Sequence, residues 1–552
     1  MNAQNPLASP SASAVPALAL SRRSFTALGA GALGLPVLAA CGGGSGTGGG
    51  AALTELKVAF PSDSENYDPH QPPYTVSRAI ARQIADTLVD QDPESGEIVP
   101  WLATAWEVNE DSSQFTFTLR DDVTFSDGTA FNATSVKNNF DRVVALGALA
   151  YIGASHLRGY VETVVENDTT ARVVFDGPNA QFLQAATTQT LSMLADATLA
   201  LEPEAVARGE VIGSGPFVLE SYTAGQNIVL TRRDDYAWGS SAYENTGAAP
   251  FDKVTVQFIP DATTMAGAVN SGQVDFAFLI DSASLASLGG NVTTVQRLSK
   301  GIAIPLVPFI YRPIFQHAEV RRAINHATNR QEIVDRIFQG NGAPATAVLT
   351  EPTPGYADLG EYLTHDVDQA VSLLEEGGWV PGADGIRVNA DGERLSVEIK
   401  YEGSGTAHEQ MFQLLQTQWK EVGIEFVLSP TTSAEMSEYT LYNAPYDMST
   451  WSQGRNDPDV LRVVYSSFYE NQSFFFGNAI PEIDEALLKL QSTTDQAERD
   501  QAAADAQRLL LEGGYVFPLY DAVSNIAGQK SLTRMAVDAE NKPAFADFAV
   551  SK

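Results

Sequence analysis

The 552 residues contain one cysteine, Cys41. A single thiol forms no internal disulfide and a single thiolate builds no cysteine-based structural zinc site, so the fold must be held by its core. Histidine is nearly as scarce. The six, His70, His156, His317, His326, His365 and His408, are scattered with no ligand pair at helical or strand spacing, and each reads as a solvated or locally hydrogen-bonded side chain. His408 and Glu409 open "HEQMF", which lacks the second histidine of a zinc-hydrolase helix, and no serine sits in a G-x-S-x-G turn. Nothing positive supports catalysis or a bound cofactor. Basic residues are few, 34 against 68 acids, for a net charge of −34. Removing residues 1–40 takes away Arg22 and Arg23 and no acid, which moves the charge to −36. Such a field repels nucleic acids and anionic lipid surfaces. Beyond residue 40, long apolar runs are missing too. The best candidate, "IAIPLVPFIY" from Ile302 to Tyr311, is ten residues long with two prolines, which suits a buried strand or hinge and not a membrane span.

What is present begins at the N-terminus. Arg22 and Arg23 precede the apolar run "SFTALGAGALGLPVLAA", Ser24 to Ala40, which is short for a bilayer and ends in small residues beside Cys41. This is the layout of an export signal, and "SRRSF" adds the twin-arginine pattern. "LAAC" resembles the bacterial lipobox, which implies cleavage before Cys41 and lipidation of its thiol. Two or more acyl chains make a stable anchor, since one alone gives only marginal attachment. "GGGSGTGGG" then reads as a flexible tether and not a phosphate loop, because no strand precedes it and no "GKS" or "GKT" follows. The expected location is the outer face of the cytoplasmic membrane or the periplasm, with the lipid as the only membrane contact.

The remaining chain alternates strand and helix signals. "TELKVAF" reads as a first strand, followed by the Pro-rich loop "YDPHQPPYT" and a helix with Ile80, Ile84 and Leu88 on one face. In "SQFTFTLRDDVTFSDGTAF", Phe115, Phe117 and Leu119 alternate with polar residues, "SDGT" supplies a turn, and Val123 and Phe125 resume the alternation, which predicts a hairpin. "ATSVKNNFDRV" begins a helix with Thr134 or Ser135 near its N-cap. Asn329 is placed to cap a helix that Gly340 stops. Further helices fall in "DVDQAVSLLEEGGW" and "EQMFQLLQTQWKEVGIEFVL", the latter running through Gly423 into a strand. Strand, helix and strand in that order imply α/β architecture.

At "WLATAWEVNEDSSQFTFTLRDDVTFSDGTAFNATSVKNNFDRV" the chain resembles the extracellular solute-binding proteins of family 5, the peptide- and nickel-type receptors of ABC importers that include the dipeptide- and oligopeptide-binding proteins. The similarity continues through "GSGPFVLESYTAGQNIVLTRRDDY", "AVNSGQVDFAF", "EVRRAINHATNRQEIVDRIFQGNGAPA" and "YDMSTWSQGRNDPDVL". It implies a two-lobed periplasmic-binding-protein fold of type II with a β-rich insert, and a cleft that closes by hinge bending on its ligand. On that pattern residues 1–40 are the signal and 41–52 the tether. The first lobe takes 53–85, 212–305 and 518–552, its insert 86–211, and the second lobe 306–517. The implied protein is a monomer that binds no nucleic acid and works with an ABC permease and its ATPase subunits.

The stretch after Trp451 departs from the peptide receptors. In them this stretch lines the cleft, and an acid three residues after the tryptophan pairs with the peptide's ammonium. Here that position is Gly454, followed by Arg455. Two readings of Arg455 stand: it offers its guanidinium to an anionic ligand with Trp451 stacked beside it, or it pairs with Asp457 or Asp459 and never meets ligand. Tyr74, in the Pro-rich loop, falls where the resemblance places cleft residues of the first lobe. The leading expectation is a receptor for peptides or peptide-like solutes. The second keeps the fold and changes the ligand to a metal chelate, opine, glycoside or other small anion; the third is a secreted hydrolase.

Overall fold

The computed structural model describes residues 54–551 apart from 73, 403–406, 437, 440, 452 and 470–472. Cys41, the signal and the tether lie outside the described residues.

The expected first strand, Glu55–Phe60, is central to a seven-stranded sheet. It pairs in parallel with Lys253–Phe258 on one side and Phe276–Phe278 on the other. Leu56, Val58 and Phe60 point into one core with Ile80, Ile84, Phe217 and Ile228. Ala59 faces the opposite way, onto Met265, Val269 and Ala527. Burial on both faces is why "LKVAF" reads as a nearly continuous apolar run. The strands Asn227–Arg232 and Phe217–Thr223 extend this sheet at one side; Val523–Gln529 and Val292–Leu298 extend it at the other.

A second sheet of six strands contains Ile304–Pro308, Phe517–Asp521, Ser396–Glu402 and Glu425–Thr431 among its members. The last two are parallel. A parallel pair needs a crossover, and the helix Ala407–Glu421 supplies it, with Phe412, Leu415 and Trp419 buried in the sheet's core. Gly423 turns the chain out of that helix at φ +85°, and a Cβ there would stand 2.7 Å from Arg387 Cγ. These two sheets are the lobes of a two-lobed α/β binding-protein fold.

The chain changes sheets at two short crossings. Leu298 pairs with Val523 in the first sheet, whereas Ile304 pairs with Tyr520 in the second. The exchange therefore falls at residues 299–303 and at 522. Half of Ile302–Tyr311, Ile304–Pro308, is thus a strand of the second sheet that begins just after a crossing, and residues 518–521 belong to the second sheet.

A separate four-stranded sheet lies in the insert, in the order Ala103–Val108, Gln114–Leu119, Thr170–Phe175, Tyr160–Asn167. Here the expected hairpin is corrected. Phe115, Phe117 and Leu119 are buried in a strand, but both edges of that strand are taken by residues 103–108 and 170–175. Val123 and Phe125 pack into the same core without joining the ladder. The following helix, Ala133–Leu146, is capped two or three residues earlier than expected, by Asn132, whose side chain accepts from the N–H groups of Thr134 and Ser135. Asn329 does cap its helix, accepting from Glu332 N–H at 3.0 Å.

Asp521 stands at the second crossing. One of its carboxylate oxygens accepts the Glu351 N–H at 3.2 Å and the other has no partner. Burial, reinforced by the charge of Glu351, pushes the carboxyl up from its ordinary 3.8 to about 7. The unfolded chain releases this proton near its ordinary value while the folded chain holds it, so folded stability falls as pH rises between those two values. Asp521→Asn is therefore expected to raise the melting temperature at pH ~8 and leave it nearly unchanged at pH ~4 in scanning calorimetry. An equal shift at both pH values would place the effect elsewhere than the carboxyl charge.

Candidate functional site

A cavity of about 300 Å³ lies between the lobes and is lined by Tyr74, Arg78, His156, Trp451, Gly454 and Arg455 among others. All four cleft residues singled out from the sequence, Tyr74, Trp451, Gly454 and Arg455, meet here. Arg78, His156 and Glu540 were not anticipated.

Tyr74 and Arg78 come from one element. Tyr74 is the N-cap position of the helix Thr75–Ile84; its carbonyl accepts from Ser77 Oγ at 2.9 Å and from Arg78 N–H at 3.1 Å. Its ring is 61% exposed. Arg78 follows four residues later, on the same helix face, while Val76, Ala79, Ile80 and Ile84 bury the opposite face. The spacing of Tyr74 and Arg78 was the sequence signal that could have found the arginine.

Arg78 is loosely held. Its Nε is 3.8 Å from Glu540 Oε2, and that nitrogen is buried without a hydrogen-bond partner. Glu540 is committed more closely to Lys542. Burial alone would raise the Glu540 carboxyl; Lys542 and Arg78 overcome this and hold it below the usual carboxylate range. It is an ionised group with its charge already matched.

The opposite wall follows the short strand Met448–Ser449. Thr450 Oγ1 donates to Pro305 O at 2.8 Å, which fixes the chain beside the second sheet. The half-buried Trp451 ring lies 6.0 Å from Phe474 at an interplanar angle of 52°. Gln453 faces the cavity with its buried side-chain oxygen unpartnered. At Gly454 a Cβ would meet only Lys300 O, at 3.5 Å, so the missing side chain is not forced by packing.

Arg455 is 2% exposed and pairs with Asp459, one of the two partners considered from the sequence. Its Nη1 donates to Asp459 Oδ2 at 3.4 Å and its Nη2 to Ser155 Oγ at 3.0 Å, yet it also lines the cavity. Asp457, the other partner considered, instead accepts from Arg499 at 2.8 Å and from Asp459 N–H at 2.8 Å. His156, beside Arg455, is pushed down to about 3 by burial and by that guanidinium, so it is neutral at physiological pH.

Ser155 belongs to the insert and Arg455 to the second lobe, so this hydrogen bond crosses between lobes. Asn456 Nδ2 crosses likewise to Gln91 Oε1 at 2.9 Å. Further out, Ala180 N–H donates to Gln491 O at 3.0 Å, and Gln491 Nε2 donates back to Pro178 O at 3.1 Å. Among the described residues, no three His, Cys, Asp or Glu side chains gather as metal ligands.

A two-lobed fold with an interlobe cavity agrees with what comparison finds. The family model for "Bacterial extracellular solute-binding proteins, family 5 Middle" matches residues 97–475. The chain belongs to family 5. This family 5 protein is 25% identical over 488 residues to the nickel-binding periplasmic protein of Escherichia coli, covering 85% of this chain and 89% of that one. Its structure is similar to that of NikA from Brucella suis in complex with Fe(III)-EDTA, with a TM-score of 0.78, 23% identity, and coverage of 90% and 100%. It is also similar to AgaA from A. tumefacien in complex with agropinic acid, at TM-score 0.74 and 22% identity, covering 90% and 99%. As a family 5 member it is an extracytoplasmic solute-binding protein of ABC importers and not an enzyme, which sets the hydrolase reading aside. Among the described residues no helix is long and apolar enough to cross a membrane.

Proposed function

We propose that this protein is a lipid-anchored receptor that captures a small anionic solute in the interlobe cleft and delivers it to an ABC permease. The observation that carries the reading is the balance of charge facing the cleft. The one acid in the lining, Glu540, is already paired, whereas Arg78 keeps a buried N–H without an acceptor. A ligand ammonium would find no free carboxylate there, and burying it unpaired is costly. A ligand carboxylate or similar anion would find Arg78 beside it and the rings of Trp451 and Tyr74 for its apolar part. The peptide reading that leads from sequence alone therefore gives way to its alternative.

The mechanism has no chemical step. Ligand that contacts both walls stabilises the closed form, and the permease recognises that form. The lobes are assigned as residues 53–85, 212–298 and 523–552 with the insert 86–211, against 304–521, with the crossings at 299–303 and 522. Cys41 tethers the whole to the membrane.

Both parts are tested on protein taken from its own cells. Extraction of natively purified protein followed by mass spectrometry is expected to release an acidic solute that is not a free peptide; a spread of peptides with free amino termini would overturn the anion reading. In cells carrying Cys41→Ala the protein is expected to leave the membrane fraction, and its retention there would overturn the anchor.

A further inference from the structure

The cavity does not end at Gly454. A second chamber of about 270 Å³ adjoins it on the hinge side, walled by Lys300, Ile302, Thr350, Val523 and Ser524. Thr75, Arg78, Gly454, Arg455 and Glu540 line both chambers, which therefore meet at a waist formed by these residues. At that waist Gly454 contributes no side chain, and no neighbour fills the place of its Cβ closer than Lys300 O at 3.5 Å. Either chamber alone is at the low end for a ligand pocket; joined, they fall well inside the usual range of roughly 300–1,000 Å³.

Most cations facing this space have partners. Arg455 is held by Asp459 and Ser155, and Lys542 by Glu540. Lys300 is different. It is half-buried, and among the described residues it makes no ion pair and its ammonium donates no hydrogen bond. Asp538, Glu540 and Glu94 act on it only at longer range, against Arg297, and burial pushes the ammonium below its ordinary value. Its backbone is fixed on both sides: Ser299 N–H donates to Ala522 O at 2.8 Å and Gly301 N–H to Thr353 Oγ1 at 2.8 Å. An ammonium without a protein partner, carried on a backbone fixed at both neighbours and set in a half-buried wall, is suited to take an anion.

We infer that Lys300 is a second anion-binding group, and that the solute is an elongated molecule with two anionic groups, one at Arg78 and the other threaded past Gly454 to Lys300. This rests on the anion reading above and adds the second charge and the length. It also puts a ligand contact on one of the two crossings between lobes, where occupancy bears on closure.

The test titrates the full chain calorimetrically with α,ω-dicarboxylates of increasing length and with the half-amide of each, which keeps shape and removes one charge. The expected result is a preferred length at which the dicarboxylate binds at least ~10-fold tighter than its half-amide, a ratio typical of one charge-assisted contact. Lys300→Gln is expected to reduce that ratio to about one, and Lys300→Arg to keep most of it. Half-amides that bind as tightly as their parent diacids, or a ratio unmoved by Lys300→Gln, would overturn the second anchor and leave the anion reading standing. Failure of every member of both series to bind would overturn both. The wild-type comparison needs no variant, so it holds even if Lys300→Gln folds poorly.

Discussion

Gly454→Asp is expected to weaken binding of the native acidic solute by a factor of ~100 or more, with the fold intact. The backbone at 454 is not in the left-handed region and a Cββ-sized substituent has room, with only Lys300 O within 4 Å, so the variant introduces charge without a clash. The new carboxylate would stand at the waist lined by Arg78 and Arg455 and occupy the cations that would otherwise meet ligand. Two unit charges about 4 Å apart interact by roughly 4 kcal/mol at the effective dielectric near a protein surface. Even a part of that, turned from attraction to repulsion, exceeds the ~2.7 kcal/mol that a hundredfold represents. Gly454→Asn is the matched control, similar in shape and neutral, and is expected to bind within a few-fold of wild type. Equal affinities for Gly454→Asp and wild type, measured by calorimetric titration, would remove the waist from the binding path.

Asp459→Ala is expected to cause the largest loss of stability of any single substitution in the cleft wall. Asp459 is fully buried and serves two guanidiniums: Arg462 Nε at 2.6 Å and Nη2 at 2.9 Å, and Arg455 Nη1 at 3.4 Å. Removing it leaves two buried cations, held only by the Tyr469 hydroxyl at 2.5 Å from Arg462 and by Ser155 at Arg455. Breaking a buried pair by deleting one partner costs about 3–5 kcal/mol, because the remaining charge cannot be resolvated. Scanning calorimetry of the variant should show a clearly lowered first transition. Arg462→Met together with Asp459→Ala should recover part of the loss, whereas an unchanged transition in the single variant would show that water reaches this wall.

The contrast between these two positions explains what the sequence could and could not say. Gly454 and Trp451 were legible because a specific motif carried them, and Tyr74 because the resemblance placed its loop. The strands were legible where burial is two-faced or strictly alternating, as in Leu56 to Phe60 and Phe115 to Leu119. The hairpin at residues 114–125 failed because alternation reports which residues are buried and not which strand lies alongside; distant residues 170–175 took the edge. Lys300 and Glu540 escaped notice because isolated charged residues have no periodicity, whereas Arg78 carried a signal, its helical spacing from Tyr74, that went unread. Their meaning depends on which cation already has a partner, and those partners come from parts of the chain hundreds of residues apart. Arg455 shows the same point from the other side: the sequence named Asp457 and Asp459 as possible partners, and only the fold shows that Asp459 takes the guanidinium while Arg499 takes Asp457.

The interlobe hydrogen bonds of Ser155, Gln91 and Gln491 bear on how the empty protein divides its time between open and closed shapes. None of them requires ligand, so the protein itself supplies part of what holds the lobes together, and cargo has only to supply the remainder. A receptor built this way gains affinity without new ligand contacts, at the risk of presenting a closed shape to the permease when it carries nothing. The strength of that outer seam then sets how far the empty receptor samples the closed shape.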